Sequence, residues 1–231
     1  MRILEFSDSH LVGTRCPNTE ALLDVVTEES PDLLIGNGDV IDLWVEKEEV
    51  IAQNPTVERL ELLSRDIPTI LIIGNHDFDD DILKRLFPNA RVAFNHYADG
   101  FWFEHGHLRD VIWQGWPILR PIFDAHPEWA HWIFWHLYQP WRERFNLNPG
   151  NQKLKAGGID SVFRQHVRTI WYRALSFADR KGVETGIVIG HTHASARWVP
   201  EYEPQLWDGG SIRDDGTYVA ITDGKPGLKR V

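Results

Sequence analysis

Cysteine is nearly absent from this 231-residue sequence, since Cys16 is the only one. A single cysteine cannot form an intramolecular disulfide, which fits a reducing compartment. The sequence also lacks an uninterrupted run of 18 apolar residues, and its first segment becomes polar within ten residues, so we expect neither a membrane-spanning helix nor a signal peptide. These absences predict a cytoplasmic protein. Peripheral contact with a membrane is compatible with that location.

Positive charge is scarce as well. Lys and Arg number 24 against 34 Asp and Glu, which gives a formal net charge of −10. A field of that sign repels polyanions and argues against duplex nucleic acid as a partner. Hydrophobic residues make up 42% and charged residues 25% of the chain, as in ordinary globular proteins. We therefore expect a single domain over residues 1–231 with a buried core.

Residues 111–180 differ in composition from the rest of the chain. They hold seven of the 11 tryptophans, and their nine Lys and Arg against five Asp and Glu give +4, which leaves −14 elsewhere. This shift predicts a helical, Trp-rich, basic insertion, or cap, within the domain. Residues 127–141 would be apolar around nearly the whole helix circumference, and Asp160–Arg180 would form a second helix ended by Gly182.

The insertion fits three roles: a helical subdomain with its own aromatic core, a cap over a cleft, or a surface for acyl chains or the membrane interface. Under the second and third roles, its basic residues become candidates to bind an anionic substrate headgroup. These candidate substrate-binding residues are Lys153, Lys155, Arg164 and Arg168.

Outside the insertion one pattern recurs, a buried strand followed by a turn that carries Asp, His or Asn. It predicts an α/β fold with strands at residues 2–7, 32–35, 68–73, 91–95, 100–104 and 185–189, helices at 18–30, 46–64 and 79–86, and closing antiparallel strands within 205–231. In such sheets, loops at the carboxyl ends of strands converge on one crevice. The polar residues at these ends are Asp8, His10, Asp39, Asn75, His76, His105, His191 and His193.

Mixed carboxylate, imidazole and amide ligands suit manganese, iron or zinc better than calcium. We expect Asp8-x-His10 and His191-x-His193 to chelate from turning loops rather than from regular strands. The glycines that precede Asp39, Asn75 and His191 would allow the turns and a close backbone approach. Asp77 is expected to brace its own loop through backbone hydrogen bonds.

The ordered motifs Asp-x-His, Gly-Asp-x-x-Asp, Gly-Asn-His-Asp, His-Gly-His and Gly-His-Thr-His, which span residues 8–193, resemble the calcineurin-like metallophosphoesterases. That resemblance implies a two-layer β-sheet core with flanking helices, and two divalent ions bridged by Asp39. Manganese is the leading choice, with iron or zinc as alternatives. By the resemblance, the first ion would be held by Asp8, His10, Asp39 and His193, and the second by Asp39, Asn75, His105 and His191.

The implied activity is hydrolysis of a phosphoester or diphosphate bond. Two ions about 3.5–4 Å apart would offset the phosphoryl charge and lower the pKa of a shared water, so that a metal-bridging hydroxide is the nucleophile. His76 is the candidate to protonate the leaving oxygen, and Asp42 is the candidate to orient His76. Leu43 stands where the protein-phosphatase branch has arginine, which disfavours phosphoprotein substrates.

Within the family, the basic apolar insertion and Asp42-Leu43-Trp44 resemble UDP-2,3-diacylglucosamine pyrophosphatases, although His76 stands where those enzymes often have arginine. A lipid-linked diphosphate is therefore the leading substrate hypothesis. Two alternatives stay open: a phosphodiesterase or phosphatase acting on small soluble substrates, and a non-catalytic metal-binding scaffold. The expected partner is a phosphorylated small molecule or lipid-linked substrate, and the sequence does not fix the oligomeric state.

Overall fold

The structure is a computed structural model and describes residues 1–109, 159–198 and 204–231. The chain divides into two compact units, one formed by Met1–His107 with Leu175–Val231 and the other by Leu108–Ala174. The predicted helix at residues 127–141, together with Lys153 and Lys155, lies outside the described residues.

A six-stranded sheet forms one layer of the first unit, with the strand order β11-β10-β1-β2-β3-β4. Four strands are parallel neighbours, and the C-terminal hairpin adds two antiparallel strands beside β1. The strands are β1 (Arg2–Phe6), β2 (Leu33–Asn37), β3 (Thr69–Ile72), β4 (Arg91–Ala93), β10 (Thr217–Thr222) and β11 (Lys225–Arg230).

A five-stranded sheet forms the second layer, with the order β5-β6-β7-β9-β8. Its inner strands β6, β7 and β9 are parallel, and the edge strands β5 and β8 are antiparallel to their neighbours. The strands are β5 (His96–Ala98), β6 (Phe101–Phe103), β7 (Gly186–Ile189), β8 (Ala196–Trp198) and β9 (Gln205–Asp208). The predicted α/β class and two-layer sheet core are confirmed.

Alternating side chains of the six-stranded sheet serve two cores. Ile3 of β1 packs with Phe103 and Trp207 of the second sheet, whereas Leu4 and Phe6 face the opposite way and pack with helical residues. This division follows from the two-residue period of a strand, which points successive side chains to opposite faces. The near-continuous apolar sequence of these strands is typical of a sheet covered on both faces.

Helices supply the outer core on one face of the six-stranded sheet, where Leu22 and Val26 of the first helix and Leu60 of the third are fully buried. The described helices are α1 (Pro17–Glu29), α2 (Glu48–Ile51), α3 (Pro55–Asp66), α4 (Asp80–Leu86), α5 (Ile159–Lys181) and α6 (Ile212–Asp215). The predicted helix 160–180 is confirmed in α5, and Gly182 follows it with φ 66°. No helix of the described ranges combines the length and apolarity needed to cross a bilayer.

Several sequence-based boundaries are wrong. The single helix predicted at 46–64 is two helices, because Asn54 caps α3 by accepting a hydrogen bond from the Thr56 amide at 2.8 Å and Pro55 starts a new first turn. The first helix begins at Pro17 rather than residue 18. The tail is not wholly antiparallel, since β9 runs parallel to β7 and α6 precedes the final hairpin. Strand β5 was not predicted.

Candidate metal centre

Polar side chains from both sheets meet where five parallel strands end. Asp8, Asp39, His105 and His191 each lie two residues beyond the last residue of β1, β2, β6 and β7, respectively, and Asn75 lies three beyond β3. All the predicted metal ligands belong to the unit formed by Met1–His107 and Leu175–Val231. The sheet topology therefore brings together residues that are up to 185 positions apart in the sequence.

The first group of candidate ligands is Asp8, His10 and His193, whose ligand atoms all lie within 4.8 Å of one another. His193 Nε2 is 3.2 Å from Asp8 Oδ1, and His10 Nε2 is 3.9 Å from the same oxygen. One carboxylate and two imidazoles at this spacing could hold a divalent transition ion.

The second group is Asp39, His105 and His191, whose ligand atoms also lie within 4.8 Å of one another. His105 Nε2 lies 3.2 Å from Asp39 Oδ2, and His10 Nε2 of the first group lies 3.9 Å from that oxygen. One oxygen of Asp39 is thus close to both groups. Asp39 is placed where a carboxylate bridging two ions would have to be.

Each central aspartate uses one oxygen to fix a neighbouring loop. Asp39 Oδ1 accepts a hydrogen bond from the His76 amide at 2.7 Å, and Asp8 Oδ2 accepts one from the His191 amide at 2.9 Å. The second oxygen of each carboxylate is left facing the histidines. These bonds hold the loops of the two sheets in register around the site.

The buried atoms that face the site support cation binding. Asp8 Oδ1, His10 Nε2, Asn75 Oδ1 and His105 Nε2 are buried and have no hydrogen-bond partner within the described parts of the chain. A buried polar atom without a partner costs about 1–3 kcal/mol, so four of them in one place call for a bound group. Lone pairs on oxygen and imidazole nitrogen fit divalent transition ions.

The backbone at the candidate ligands is left-handed, a conformation that non-glycine residues rarely adopt. The φ angles fall between 43° and 69° at Asp8, His10, Asp39, His191 and His193. The prediction that both His-containing pairs sit in turning loops is therefore confirmed. Each such residue costs about 1–3 kcal/mol, and strain of this kind concentrates at functional sites.

The glycines in these loops are required by close packing within the site. A Cβ at Gly38, whose φ is +85°, would lie 2.3 Å from the His105 ring, and a Cβ at Gly74 would lie 2.1 Å from Asp39 Oδ1. The predicted close approach thus exists, but it is to the site's own side chains.

His76 and Asp42 form a hydrogen-bonded pair beside the first group. His76 Nδ1 lies 2.9 Å from Asp42 Oδ1, while Asp42 Oδ2 lies 3.2 Å from His10 Nδ1. The His76 side chain is 23% exposed, and no described residue forms a hydrogen bond to its Nε2. Asp42 therefore contacts two imidazoles, and the far nitrogen of His76 is left to meet another group.

Electrostatics favour the charged form of this pair. Burial lowers the pKa of His76, but the hydrogen bond that His76 donates to Asp42 and the charges of Asp39 and Asp42 outweigh it and raise the pKa above its usual value. Burial raises the pKa of Asp42, but hydrogen bonds to His10 and His76 outweigh it and hold the pKa well below its usual range. Proton donation from His76 near neutral pH is consistent with these shifts.

The ligand histidines carry raised pKa values as well. Burial lowers the pKa of His105, but the charges of Asp39 and Asp8 reverse this and raise the pKa to about 10. Burial likewise lowers the pKa of His193, but the close Asp8 carboxylate, together with the hydrogen bond and charge of Asp214, raises it to about 9. Because a cation and a proton compete for the same lone pair, metal binding at these rings would release protons.

Helix α6 supports the site and was missed by the sequence analysis. Asp214 Oδ2 lies 2.9 Å from His193 Nδ1, which leaves His193 Nε2 directed at Asp8. Ser211 donates from its hydroxyl to the Asp8 carbonyl at 3.1 Å, and Arg213 donates to the His10 carbonyl at 3.3 Å. A Ser-x-x-Asp capping pattern at Ser211 was the only local indication of this helix.

Asp77 braces its loop, as predicted. Its two oxygens accept hydrogen bonds from the amides of Gly74 at 2.6 Å and Val40 at 2.7 Å. These bonds tie the turn after β3 to the turn after β2.

One of the four candidate substrate-binding residues has a side chain within the described part of the structure. Arg168 is exposed on α5, within the Leu108–Ala174 unit. The side chain of Arg164, like Lys153 and Lys155, lies outside the described part of the structure.

The two-sheet fold carries groups of His and Asp at its strand ends that could hold divalent ions, an arrangement that favours a metal-dependent hydrolase. The family model of the calcineurin-like phosphoesterases matches residues 1–195. The chain belongs to this family, and it is a metallophosphoesterase, a hydrolase acting on phosphoester bonds. A search of curated proteins found no significant match.

Solved structures are similar to this chain at low identity, and the one below with a TM-score above 0.5 shares its fold. A dimetal phosphatase from Danio rerio is 11% identical, with a TM-score of 0.53 and coverage of 99% of this chain and 98% of that one. The phosphoesterase Yfce from E. coli is 15% identical, with a TM-score of 0.47 and coverage of 96% and 89%. A Vps29 single mutant from Entamoeba histolytica is 12% identical, with a TM-score of 0.48 and coverage of 100% and 98%.

Proposed function

We propose that the protein is a dinuclear metal-dependent hydrolase of phosphoester or diphosphate bonds. The observation that carries this proposal is the convergence, on either side of Asp39 Oδ2, of buried ligand atoms that have no hydrogen-bond partner among the described residues. Under the proposal, Asp8, His10, Asp39 and His193 hold one ion, and Asp39, Asn75, His105 and His191 hold the other. Manganese is the metal we expect, with iron or zinc as alternatives.

Two divalent ions bound there would supply positive charge for the phosphoryl oxygens and lower the pKa of water enough to make it a nucleophile near neutral pH. The chain's own residues do the rest. His76 Nε2 donates a proton to the leaving oxygen, and Asp42 holds the imidazole through Nδ1. Asp214 holds His193 through Nδ1 in the same way, so that Nε2 is the ligand atom.

The proposal is tested with the purified chain, Mn²⁺ and three substrates: bis(p-nitrophenyl) phosphate, p-nitrophenyl phosphate and diphenyl phosphate. Asp39→Asn should lower kcat by about 10³-fold or more and reduce the bound metal found by elemental analysis, because it removes the shared ligand. His76→Ala should lower kcat on diphenyl phosphate by about 10²-fold or more while the metal content persists.

A matched control is Asp66→Asn, which alters an exposed carboxylate at the end of α3. This variant should keep wild-type turnover and metal content. Normal turnover in both Asp39→Asn and His76→Ala would refute the proposed mechanism. Absence of turnover in the wild type with metal bound would instead favour the scaffold alternative.

The substrate class is a further part of the proposal. A lipid-linked diphosphate is supported by the basic, Trp-rich composition of residues 111–180 and by the exposed Arg168 on α5. The experiment is a metal-dependent screen of UDP-diacyl sugars, nucleotide diphosphates and simple diesters. A kcat/KM for the diacyl substrate that does not exceed that for the same nucleotide diphosphate without acyl chains would remove the lipid-linked assignment and leave the small soluble substrates.

A further inference from the structure

Trp44 contacts His76, Asn75 and Asp42 in the candidate site. Its indole ring stacks on the His76 imidazole, with centroids 4.4 Å apart and an interplanar angle of 18°. Its Nε1 donates a hydrogen bond to the Asn75 carbonyl at 2.9 Å, and its amide donates to Asp42 Oδ1 at 3.1 Å. A single side chain thus contacts the candidate proton donor and the candidate ligand that precedes it.

These contacts fix the His76 imidazole on three sides. Asp42 holds Nδ1, the indole covers one face, and the His10 ring meets it edge to face at a centroid distance of 4.5 Å. The Leu43 amide also donates a hydrogen bond to the His76 carbonyl at 3.1 Å, which fixes the backbone of His76. A hydrogen bond at Nδ1 alone would let the ring pivot, whereas the stack defines its plane.

We propose that Trp44 is a positioning residue, whose indole face sets the plane of the His76 imidazole and thereby aims Nε2 at the leaving oxygen of the substrate. This inference rests on the proposed role of His76 as proton donor. Misplacement of a catalytic group by about 1 Å can cost about 10²-fold in rate, so a lost stack should affect turnover without any loss of metal.

The reaction step determines what should be measured. As water oxygen bonds to phosphorus, the bond from phosphorus to the leaving oxygen breaks, and that oxygen takes the electron pair together with the proton from His76 Nε2. The proton lost by the attacking water restores the charged imidazole. A nitrophenolate leaves readily without protonation, whereas a more basic phenolate depends on the donor. Trp44 should therefore matter most for the poorer leaving group.

The experiment compares kcat on diphenyl phosphate with kcat on bis(p-nitrophenyl) phosphate. Trp44→Leu should lower the ratio of the two by about tenfold, because the residue no longer presents a ring face. Trp44→Phe keeps a ring for the stack but lacks the N–H group, and its ratio should stay within about threefold of wild type. In a His76→Ala background, Trp44→Leu should leave the ratio unchanged.

The matched control is Tyr97→Leu, an exposed aromatic in the edge strand β5, which should leave both rates unchanged. Metal content and the thermal midpoint of each variant show that it is folded and loaded. Equal losses on both substrates in Trp44→Leu, or a ratio change that persists without His76, would overturn the inference while leaving the hydrolase assignment intact. Metal-loaded wild type with no turnover of either ester would instead contradict both.

Discussion

At the residue scale, three histidines of this site are held by carboxylates that are not among the candidate ligands. Asp42 contacts His10 and His76 through Nδ1, and Asp214 contacts His193 through the same ring position. A carboxylate on one ring nitrogen fixes the tautomer and leaves the other nitrogen as the ligand. The candidate centre therefore depends on residues that a list of ligands would omit.

Asp214 offers a direct test of this dependence. We expect Asp214→Asn to weaken metal binding by about 10-fold to 100-fold, because the amide replaces the carboxylate partner of His193 Nδ1 by a neutral group. The measurement is a titration of the metal-free protein with Mn²⁺.

Asp215, the next residue in the same helix, provides the control. Asp215→Asn should bind Mn²⁺ like the wild type. Equal metal affinity in Asp214→Asn and Asp215→Asn would show that the contact with His193 does not contribute to binding.

At the element scale, β1 carries an unusual buried acid. Glu5 lies three residues before Asp8 and is fully buried in β1, between β2 and β10. Its neighbours include Asn37 and Gly209. Burial, with smaller contributions from the charges of Asp208 and Asp8, raises the pKa of Glu5 to about 8. The folded strand therefore keeps a proton that the unfolded chain has lost near neutral pH.

The sign of the resulting pH dependence follows from the two pKa values of Glu5. Below pH 4.5 both the folded and the unfolded chain are protonated at this residue. Between pH 4.5 and about 8 only the folded state binds the proton, so stability falls as the pH rises, by at most about 1.4 kcal/mol per pH unit. Above that window the contribution of Glu5 no longer changes.

We expect Glu5→Gln to remove this contribution. The difference in the free energy of unfolding, variant minus wild type, should be larger at pH 8 than at pH 5. The measurement is urea denaturation at each pH with a chelator present. Glu28→Gln, at an exposed position of α1, should shift neither value. A difference between Glu5→Gln and wild type that is the same at both pH values would contradict the protonated state of Glu5.

Elements also show what could be predicted from the sequence and what could not. The strand-and-turn units were predictable because each is a local pattern, an apolar run followed within a few residues by Asp, Asn or His and in most cases by Gly as well. The helix break at Asn54-Pro55 also carried a local signal, since proline favours the first turn of a new helix. The contact of Asp214 with His193 and the burial of Glu5 depend on which strands become neighbours, and no local pattern encodes that order.

The stacking of the Trp44 indole on His76 is intermediate between features that local patterns predict and features that depend on the strand order. Both residues stood in motifs that the sequence analysis identified, but they are 32 positions apart and follow different strands. Only the parallel pairing of β2 with β3 brings the two turns side by side. Their contact could be found only once the strand order was known.

At the scale of the whole molecule, the candidate ligands join two sheets. Asp8, Asp39 and Asn75 follow strands of the six-stranded sheet, whereas His105, His191 and His193 follow strands of the five-stranded sheet. Bound ions would therefore link the two layers at their strand ends. They would also offset the repulsion among the buried carboxylates.

Metal removal should consequently destabilise the protein. A ligand that binds only the folded state adds about 2.7 kcal/mol when its free concentration is 100 times its Kd. For a chain of this size, each kcal/mol raises Tm by about 2–4 °C, so Mn²⁺ should raise Tm by several degrees above its value in chelator.

Scanning calorimetry over a series of Mn²⁺ concentrations checks this prediction. Asp39→Asn serves as the comparison, because the loss of the shared ligand should flatten the dependence on Mn²⁺. A wild-type Tm that is the same in chelator and in saturating Mn²⁺ would contradict the linkage between the sheets.

The strand order also determines when, during translation, the site can form. Strand β1 is synthesised long before one of its neighbours, β10, which comes from residues 217–222, and the histidines of the Gly-His-Thr-His motif precede β10 only slightly. A nascent chain therefore carries Asp8, His10 and Asp39 long before their partners exist. Hydrolytic competence should therefore arise only after the Gly-His-Thr-His motif has been synthesised, and a polypeptide that stops before it has no means of acting on phosphate esters.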